Sequence, residues 1–108
     1  MTEQKHYEIR IAIGSPNDTH KIDIEYLDKI VKWANKNFEG YTLYHTKRYW
    51  KGTVEDSVII STLSREPPSK ILKRHISVLN VELKQDSILL TYAPLDFEFI
   101  GSINAKGV

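Results

Sequence analysis

Residues 49–57 have the sequence YWKGTVEDS and lie near the middle of the chain. The pattern predicts a strand, a tight turn at Gly52 and a second strand. A connection that serves folding alone needs little more than a Gly and a polar residue. Two aromatic rings and two carboxylates beside the turn are therefore typical of a small-molecule site. The alternative is that the carboxylates are solvated turn residues and the rings are half-buried sheet residues.

Outside this predicted hairpin, the hydrophobic periodicity alternates between the strand period of two and the helix spacing of three and four. Asp23 or Thr19 is expected to cap the first helix. The predicted segments are a strand over 7–13, a helix over 24–38, strands over 41–50 and 57–63, a helix over 71–79, a strand over 87–93 and a short last strand over 95–99.

The order strand, helix, strand, strand, helix, strand predicts an α+β ferredoxin-like βαββαβ sandwich. In this fold an antiparallel sheet carries two helices on one face. A chain of 108 residues can bury one core but not two. We therefore expect a single domain over residues 1–100 and a polar C-terminal tail over 101–108.

The composition restricts the classes of function. A formal net charge of +1 lacks the basic surplus that binding to phosphate backbones requires, which disfavours nucleic acid as a partner. The chain has no apolar run of membrane-spanning length and no stretch of signal-peptide type, so we expect a cytoplasmic protein without membrane association. It has no Cys, no metal-type His spacing and no glycine-rich phosphate loop, so neither a metal nor a cofactor is predicted.

The chemistry that remains is an aromatic and acidic cluster around the hairpin. Tyr44, Tyr49 and Trp50 offer surfaces for stacking and phenolic hydrogen bonds. Glu55 and Asp56 can attract a cationic ligand or orient a hydroxyl-bearing one. This combination suits an adenosyl compound or a nucleotide.

Two stretches of the chain resemble the phage-type S-adenosylmethionine lyases, formerly called hydrolases. They are YWKG followed by EDS within residues 49–57, and QDSILLTY over residues 85–92. The resemblance implies a fold similar to that of the trimeric PII signalling proteins and a ligand bound between subunits. It implies that S-adenosylmethionine splits intramolecularly into methylthioadenosine and homoserine lactone, without an attacking water. A phage protein of this kind would act in the host-cell cytoplasm and counteract restriction and related host defences.

The same resemblance implies roles for individual residues. Tyr49 corresponds to the active-site tyrosine and Glu55 to the active-site glutamate. The segment between the two is shorter here than in the family, so Tyr44 competes with Tyr49 for the phenolic role. A sulfonium is already a good leaving group, so positioning and exclusion of water can supply most of the acceleration. The predicted substrate-binding residues are Tyr44, Trp50, Gly52, Asp56 and Ser57.

Two other functions stay open. The same architecture without a competent catalytic group would be a PII-like oligomer that binds a nucleotide or signalling ligand in its intersubunit clefts. The chain would instead be a protein-binding module if its free sheet face contacts a different protein. We expect a homo-oligomer, first of all a trimer, by analogy. The residues of the free face that an oligomer is expected to bury are Tyr44, Arg48, Trp50, Tyr92, Phe97 and Phe99.

Overall fold

A computed structural model describes residues 6–102 of the chain. The strands form a four-stranded antiparallel sheet in the order β2-β3-β1-β4. This confirms the predicted α+β, ferredoxin-like βαββαβ fold. The elements are β1 (His6–Gly14), α1 (Ile24–Asn37), β2 (Thr42–Trp50), β3 (Thr53–Ser64), α2 (Lys70–Glu82) and β4 (Leu89–Leu95).

Both helices pack on one face of the sheet and form the core with it. Alternate residues of β1 and β3 point to that face, because successive side chains of a strand point to opposite sides. Each fully buried Ile or Leu contributes about 1.5–3 kcal/mol relative to an exposed one. Within residues 6–102, no helix is long and apolar enough to cross a membrane. The core residues are Ile9, Ile11, Ile13, Tyr26, Ile30, Ala34, Val58, Ile60, Ile76, Leu79 and Leu83.

Side-chain caps set the starts of both helices. The backbone N–H of Tyr26 donates to Asp23 Oδ1 at 2.8 Å, so Asp23 is the cap of α1. Thr19, the other predicted cap, instead bonds within its own loop, where its hydroxyl donates to the carbonyl of Lys21 at 3.2 Å. Ser69 caps α2 in the same way as Asp23 caps α1.

The predicted last strand over 95–99 is wrong. β4 continues through Pro94 to Leu95, and residues 96–100 form no strand. Proline is tolerated there because β4 is an edge strand. It pairs with β1 on one side only, so the missing N–H breaks no pairing with a strand on the other side. The alternating Phe residues have another partner, since Phe97 contacts the rings of His6 and Phe99 edge-on. The predicted polar tail over 101–108 lies, from 103 on, outside the described residues.

The second face of the sheet carries no helix, and we call it the outer face. It mixes charged, aromatic and aliphatic side chains; Tyr44 is 44% exposed and Leu89 is 60% exposed. The pKa of Glu8 on this face is lowered mainly by a hydrogen bond from Ser61, and to a smaller extent by its ion pair with Arg10. Strand alternation and register place on it Glu8, Arg10, Ala12, Tyr44, Thr46, Arg48, Glu55, Ser57, Ile59, Ser61, Leu63, Leu89, Thr91 and Ala93.

Candidate functional site

Polar side chains from several elements converge on Gly14, where β1 ends. A Cβ atom built on Gly14 would lie 3.2 Å from Gln85 Oε1, 3.6 Å from Glu55 Oε1 and 3.8 Å from Arg48 Nη1. The hydroxyl of Tyr26 reaches the same residue from α1 and donates to its carbonyl at 2.6 Å. We call Gly14, Tyr26, Arg48, Glu55 and Gln85 the β1-end cluster. Glycine at its centre lets the side chains of Arg48, Glu55 and Gln85 approach the backbone of β1 closely.

Two hydrogen bonds fix the backbone at the end of β1. Besides the Tyr26 bond, Gln85 Nε2 donates to the carbonyl of Ser15 at 3.0 Å. Tyr26 is only 8% exposed. Burial first, and then the nearby carboxylate of Glu55, raise the pKa of the Tyr26 phenol to about 12. The phenol therefore stays neutral and remains a hydrogen-bond donor at neutral pH.

Glu55 supplies the carboxylate of the cluster. It lies directly opposite Arg48 in the β2–β3 ladder, and Arg48 Nε is 3.0 Å from Glu55 Oε1. The Glu55 side chain is 17% exposed and that of Arg48 is 52% exposed. A cross-strand ion pair of this kind stabilises the pairing of the two strands, and the low exposure of the carboxylate restricts its movement beside Gly14. Glu55 is thus a fixed negative charge at the rim of the outer face.

Ser15 adds an unsatisfied polar group beside the cluster. It is 1% exposed, and its hydroxyl has no hydrogen-bond partner among the described residues. Buried hydroxyls are nearly always hydrogen-bonded, so an unpartnered one next to Gly14 and Gln85 is a feature that a bound ligand or water can satisfy.

Asp56 and Ser57, two predicted ligand contacts, hold the scaffold together. Asp56 Oδ2 accepts from the backbone N–H of Ile22 at 3.2 Å, and its other oxygen pairs with Lys47. The pKa of Asp56 is lowered mainly by its hydrogen bond with Lys47, and further by the hydrogen bond from the Ile22 N–H. Ser57 is 5% exposed and donates to the carbonyl of Ile13 at 3.0 Å. Both residues fasten the start of β3 to neighbouring chain segments.

The predicted hairpin is present, and its tip carries the exposed aromatic residues. Lys51 and Gly52 form the two-residue turn with φ values of 49° and 80°, the left-handed conformations of a type I′ hairpin. Tyr49 is 73% exposed and Trp50 is 64% exposed. The ammonium of Lys51 lies 5.7 Å from the centre of the Trp50 ring. The tip is therefore a projecting aromatic and basic surface.

Within one chain, the structure does not bring Tyr49 and Glu55 together. Arg48 is paired with Glu55 and Tyr49 with Val54, and adjacent residues of a strand point to opposite faces. Tyr49 and Glu55 thus point to opposite sides of the hairpin. Tyr44, by contrast, lies on the outer face with Glu55, and the Arg10 guanidinium is 5.9 Å from the centre of its ring. Of the two candidate tyrosines, Tyr44 shares the face of the carboxylate.

Sequence reasoning missed several members of the site. Gly14 follows the predicted first strand over 7–13, and no sequence pattern marks it as part of a site. Tyr26 lies one helical turn before Ile30 on the apolar stripe of α1, which marks it as core-facing but gives no sign of its hydroxyl contact. Gln85 opens the QDSILLTY stretch that carries the family resemblance. The resemblance of that stretch is the sequence feature that could have identified Gln85 as a site residue. No sequence feature identifies Ser15.

Replacing Tyr26 by Phe is expected to lower the free energy of unfolding by about 1 kcal/mol at pH 7, because Gly14 loses a buried hydrogen bond. The phenol has a folded pKa of about 12 against 10.0 for an ordinary tyrosine. Its stabilising effect is therefore complete below pH 10 and is lost as the pH rises toward 12, where ionisation favours the unfolded chain.

Denaturant unfolding of wild type and Tyr26→Phe across this pH range measures the effect. Tyr41→Phe is the matched control, since the Tyr41 hydroxyl donates to Asn35 Oδ1 at 2.8 Å at an exposed position. Its effect on stability is expected to be smaller. A difference between wild type and Tyr26→Phe that stays constant up to the highest pH would contradict the assignment.

A cavity of about 1010 Å³ lies at the other end of the sheet, between the end of α1 and the start of α2. Its lining includes Phe38, Tyr41, Leu72 and His75 but no member of the β1-end cluster. The cluster itself faces the open outer surface. A ligand site there requires a second wall, which a neighbouring subunit on the outer face can provide.

Comparisons with known proteins agree with this fold. The sequence matches no family model and none of the curated proteins. Among solved structures, it is similar to a phage SAM lyase in complex with S-methyl-5'-thioadenosine, with a TM-score of 0.59 and 17% identity over 87% of this chain and 84% of that one. A phage SAM lyase in the apo state gives a TM-score of 0.57 and 19% identity over the same shares of the two chains. At this level of identity the likeness establishes that the chain has the fold of these lyases.

Proposed function

We propose that this chain is an S-adenosylmethionine lyase that forms methylthioadenosine and homoserine lactone at sites between subunits. The observation that carries the proposal is the carboxylate of Glu55, held beside Gly14 at the edge of an uncovered sheet face. That arrangement occurs in a fold shared with phage SAM lyases. A carboxylate of low exposure at the edge of this face suits a ligand that carries positive charge.

The proposed reaction needs neither a water nor a proton. An oxygen of the substrate's own carboxylate forms a bond to its γ-carbon, the bond between that carbon and sulfur breaks, and the electron pair stays on sulfur. The sulfonium becomes a neutral thioether and the carboxylate becomes the lactone ester, so charge and atoms balance. The protein's part is to fold the substrate into the reactive conformer and to exclude solvent.

The geometry divides the proposed roles. Glu55 attracts and orients the cationic substrate, and Tyr44 offers a ring and a phenol on the same face. Trp50, exposed at the hairpin tip, would stack on the adenine. Tyr49 points away from Glu55 of its own chain, so a role for it requires the hairpin of a neighbouring subunit. Asp56 and Ser57 support the site through their scaffold contacts.

We also propose that the chain assembles as a homotrimer through its outer face. The helices leave this face uncovered, and its aliphatic and aromatic residues remain exposed to water in a single chain. Assembly would close the β1-end cluster and exclude solvent from the reaction. By removing S-adenosylmethionine from the host-cell cytoplasm, such an enzyme would deprive restriction and other defences that use this cofactor.

Leu89→Asp is expected to weaken assembly by about tenfold or more, because it buries an unpaired charge in the interface. Leu89 is 60% exposed on the outer face, so the substitution should not disturb the core. Val81→Asp, at a 74% exposed position of α2, is the matched control and is expected to assemble normally. Light scattering and sedimentation measure the oligomer. Equal oligomers for both variants would exclude the outer face as the interface.

Incubation of the purified protein with S-adenosylmethionine in ¹⁸O-labelled water tests the reaction. Mass spectrometry is expected to detect methylthioadenosine and homoserine lactone without label, because the ring oxygen comes from the substrate. Labelled homoserine formed without the lactone would indicate hydrolysis instead. Tight binding of an adenine nucleotide with no product from S-adenosylmethionine would favour the alternative, a PII-like ligand-binding oligomer.

A further inference from the structure

We propose that Arg48 neutralises the charge of Glu55 in the free protein. When the substrate binds, one of its positively charged groups displaces Arg48 from Glu55. The inference rests on the proposed function and adds a specificity-determining residue to it. Arg48 is not part of either stretch that resembles the lyases. It is identified by its position against Glu55 and Gly14.

The guanidinium lies against both Glu55 and Gly14, the two residues that define the proposed ligand position. Its Nε is 3.0 Å from Glu55 Oε1, and its Nη1 is 3.8 Å from the position of a Cβ atom on Gly14. The surface formed by Gly14 and the carboxylate is thus already in contact with a cation. A sulfonium or ammonium that approaches Glu55 from the outer face meets Arg48 there.

Burial indicates which partner of the ion pair can move. Glu55 is 17% exposed and lies beside Gly14, whereas Arg48 is 52% exposed on the edge strand β2. A long, half-solvated side chain recovers much of its hydration when it leaves, so its displacement is inexpensive. Glu55 stays in place and changes its cation from Arg48 to the ligand.

No other basic residue substitutes for Arg48 among the described residues. The ion pairs of residues 6–102 give Glu55 a single partner. Lys47 is paired with Asp56 on the opposite side of the hairpin, and Lys51 lies over the Trp50 ring at the tip. Removing Arg48 therefore leaves the carboxylate uncompensated until a cationic ligand binds.

Competition of this kind has a distinct consequence for ligand selectivity. Without Arg48, a cationic ligand no longer has to displace a charge or bind beside one, so its affinity rises. A neutral ligand gains nothing from the change. A residue that merely stabilises the hairpin would alter the affinities of both kinds of ligand in the same direction.

Calorimetric titration of Arg48→Gln with three ligands tests the proposal. Sinefungin is unreactive and carries an amine-bearing carbon in place of the sulfonium, as well as the amino-acid ammonium. S-adenosylhomocysteine has the amino-acid ammonium but no cation at the sulfonium position. Methylthioadenosine has no cation at either position. Arg48→Lys retains the charge and is the conservative variant. Lys32→Gln is the matched control, since it removes the same charge and breaks the ion pair with Asp28 on α1.

Arg48→Gln is expected to bind sinefungin about fivefold more tightly than wild type, the equivalent of an ion pair of about 1 kcal/mol. Methylthioadenosine should bind all four proteins equally, and Arg48→Lys and Lys32→Gln should resemble wild type. If the tightening extends to S-adenosylhomocysteine, the amino-acid ammonium is the displacing group. If it is confined to sinefungin, the displacing group is the one at the sulfonium position.

Unchanged sinefungin affinity in Arg48→Gln would overturn the inference. Weaker binding of both sinefungin and S-adenosylhomocysteine would also overturn it, because Arg48 would then hold the ligand carboxylate. Turnover of S-adenosylmethionine by the wild type in the same preparations separates these outcomes from failure of the proposed function. A wild type that neither binds nor cleaves S-adenosylmethionine would overturn both proposals.

Discussion

Glu55→Gln is expected to lower the turnover of S-adenosylmethionine by about 100-fold or more, the effect of removing a preorganised electrostatic group from an active site. The substitution preserves the size of the side chain and its contact with Gly14. Arg48 loses its ion-pair partner but remains half exposed to water, so stability should change little. Quantitative mass spectrometry of methylthioadenosine measures the rate.

Glu98→Gln is the matched control for this prediction. Glu98 is an exposed carboxylate beyond the end of β4, and its replacement changes the net charge by the same amount. We expect its turnover to equal that of the wild type. Normal turnover in a folded Glu55→Gln protein would remove Glu55 from the mechanism and leave the carboxylate with a structural role only.

Tyr44→Ala is expected to reduce kcat/KM about 10- to 100-fold, the loss associated with removing one aromatic stacking partner. Tyr44 lies on the outer face with Glu55, and its side chain is 44% exposed there. Tyr49→Ala removes the same side chain from the same strand but from the opposite side. The two variants therefore form a matched pair that separates the candidate tyrosines.

The outcome for Tyr49→Ala also reports on the assembly. If each site uses only the outer face of its own chain, Tyr49→Ala should change kcat/KM by less than about threefold, as expected for an exposed residue without a ligand contact. A large loss in Tyr49→Ala with normal activity in Tyr44→Ala would contradict the face assignment. It would instead indicate that the hairpin of one subunit reaches the site of another.

The order of the elements could be predicted because it depends on local periodicity. Apolar residues alternate in β1 and recur at helical spacing in α1 and α2, and these patterns follow from which side of an element faces the core. The failure at residues 95–99 shows the limit of this reasoning. Alternating Phe97 and Phe99 have strand periodicity, yet their rings contact each other and His6 outside any ladder.

Glu55 was singled out from the sequence as a candidate site residue, whereas the residues that surround it in the fold were not. Glu55 stands out because a carboxylate beside a hairpin turn has no folding role that requires it. Gly14, Tyr26 and Gln85 come from distant parts of the chain, and no local pattern records that their atoms meet. The Tyr26 hydroxyl contact with Gly14 spans from α1 to the end of β1 and exists only in the folded sheet.

By itself, the sequence determined the fold class and indicated a tight turn at Gly52 and a candidate carboxylate at Glu55. Only the tertiary structure decided that Tyr44 rather than Tyr49 shares a face with Glu55, and that Arg48 occupies the space beside it. The physical reason is the strand register. Side chains alternate with a period of two, so a shift of one residue in pairing exchanges the two faces of a strand. The intrinsic strand propensities of the residues hardly change with such a shift. The register is therefore fixed only when the core packs against one face of the sheet.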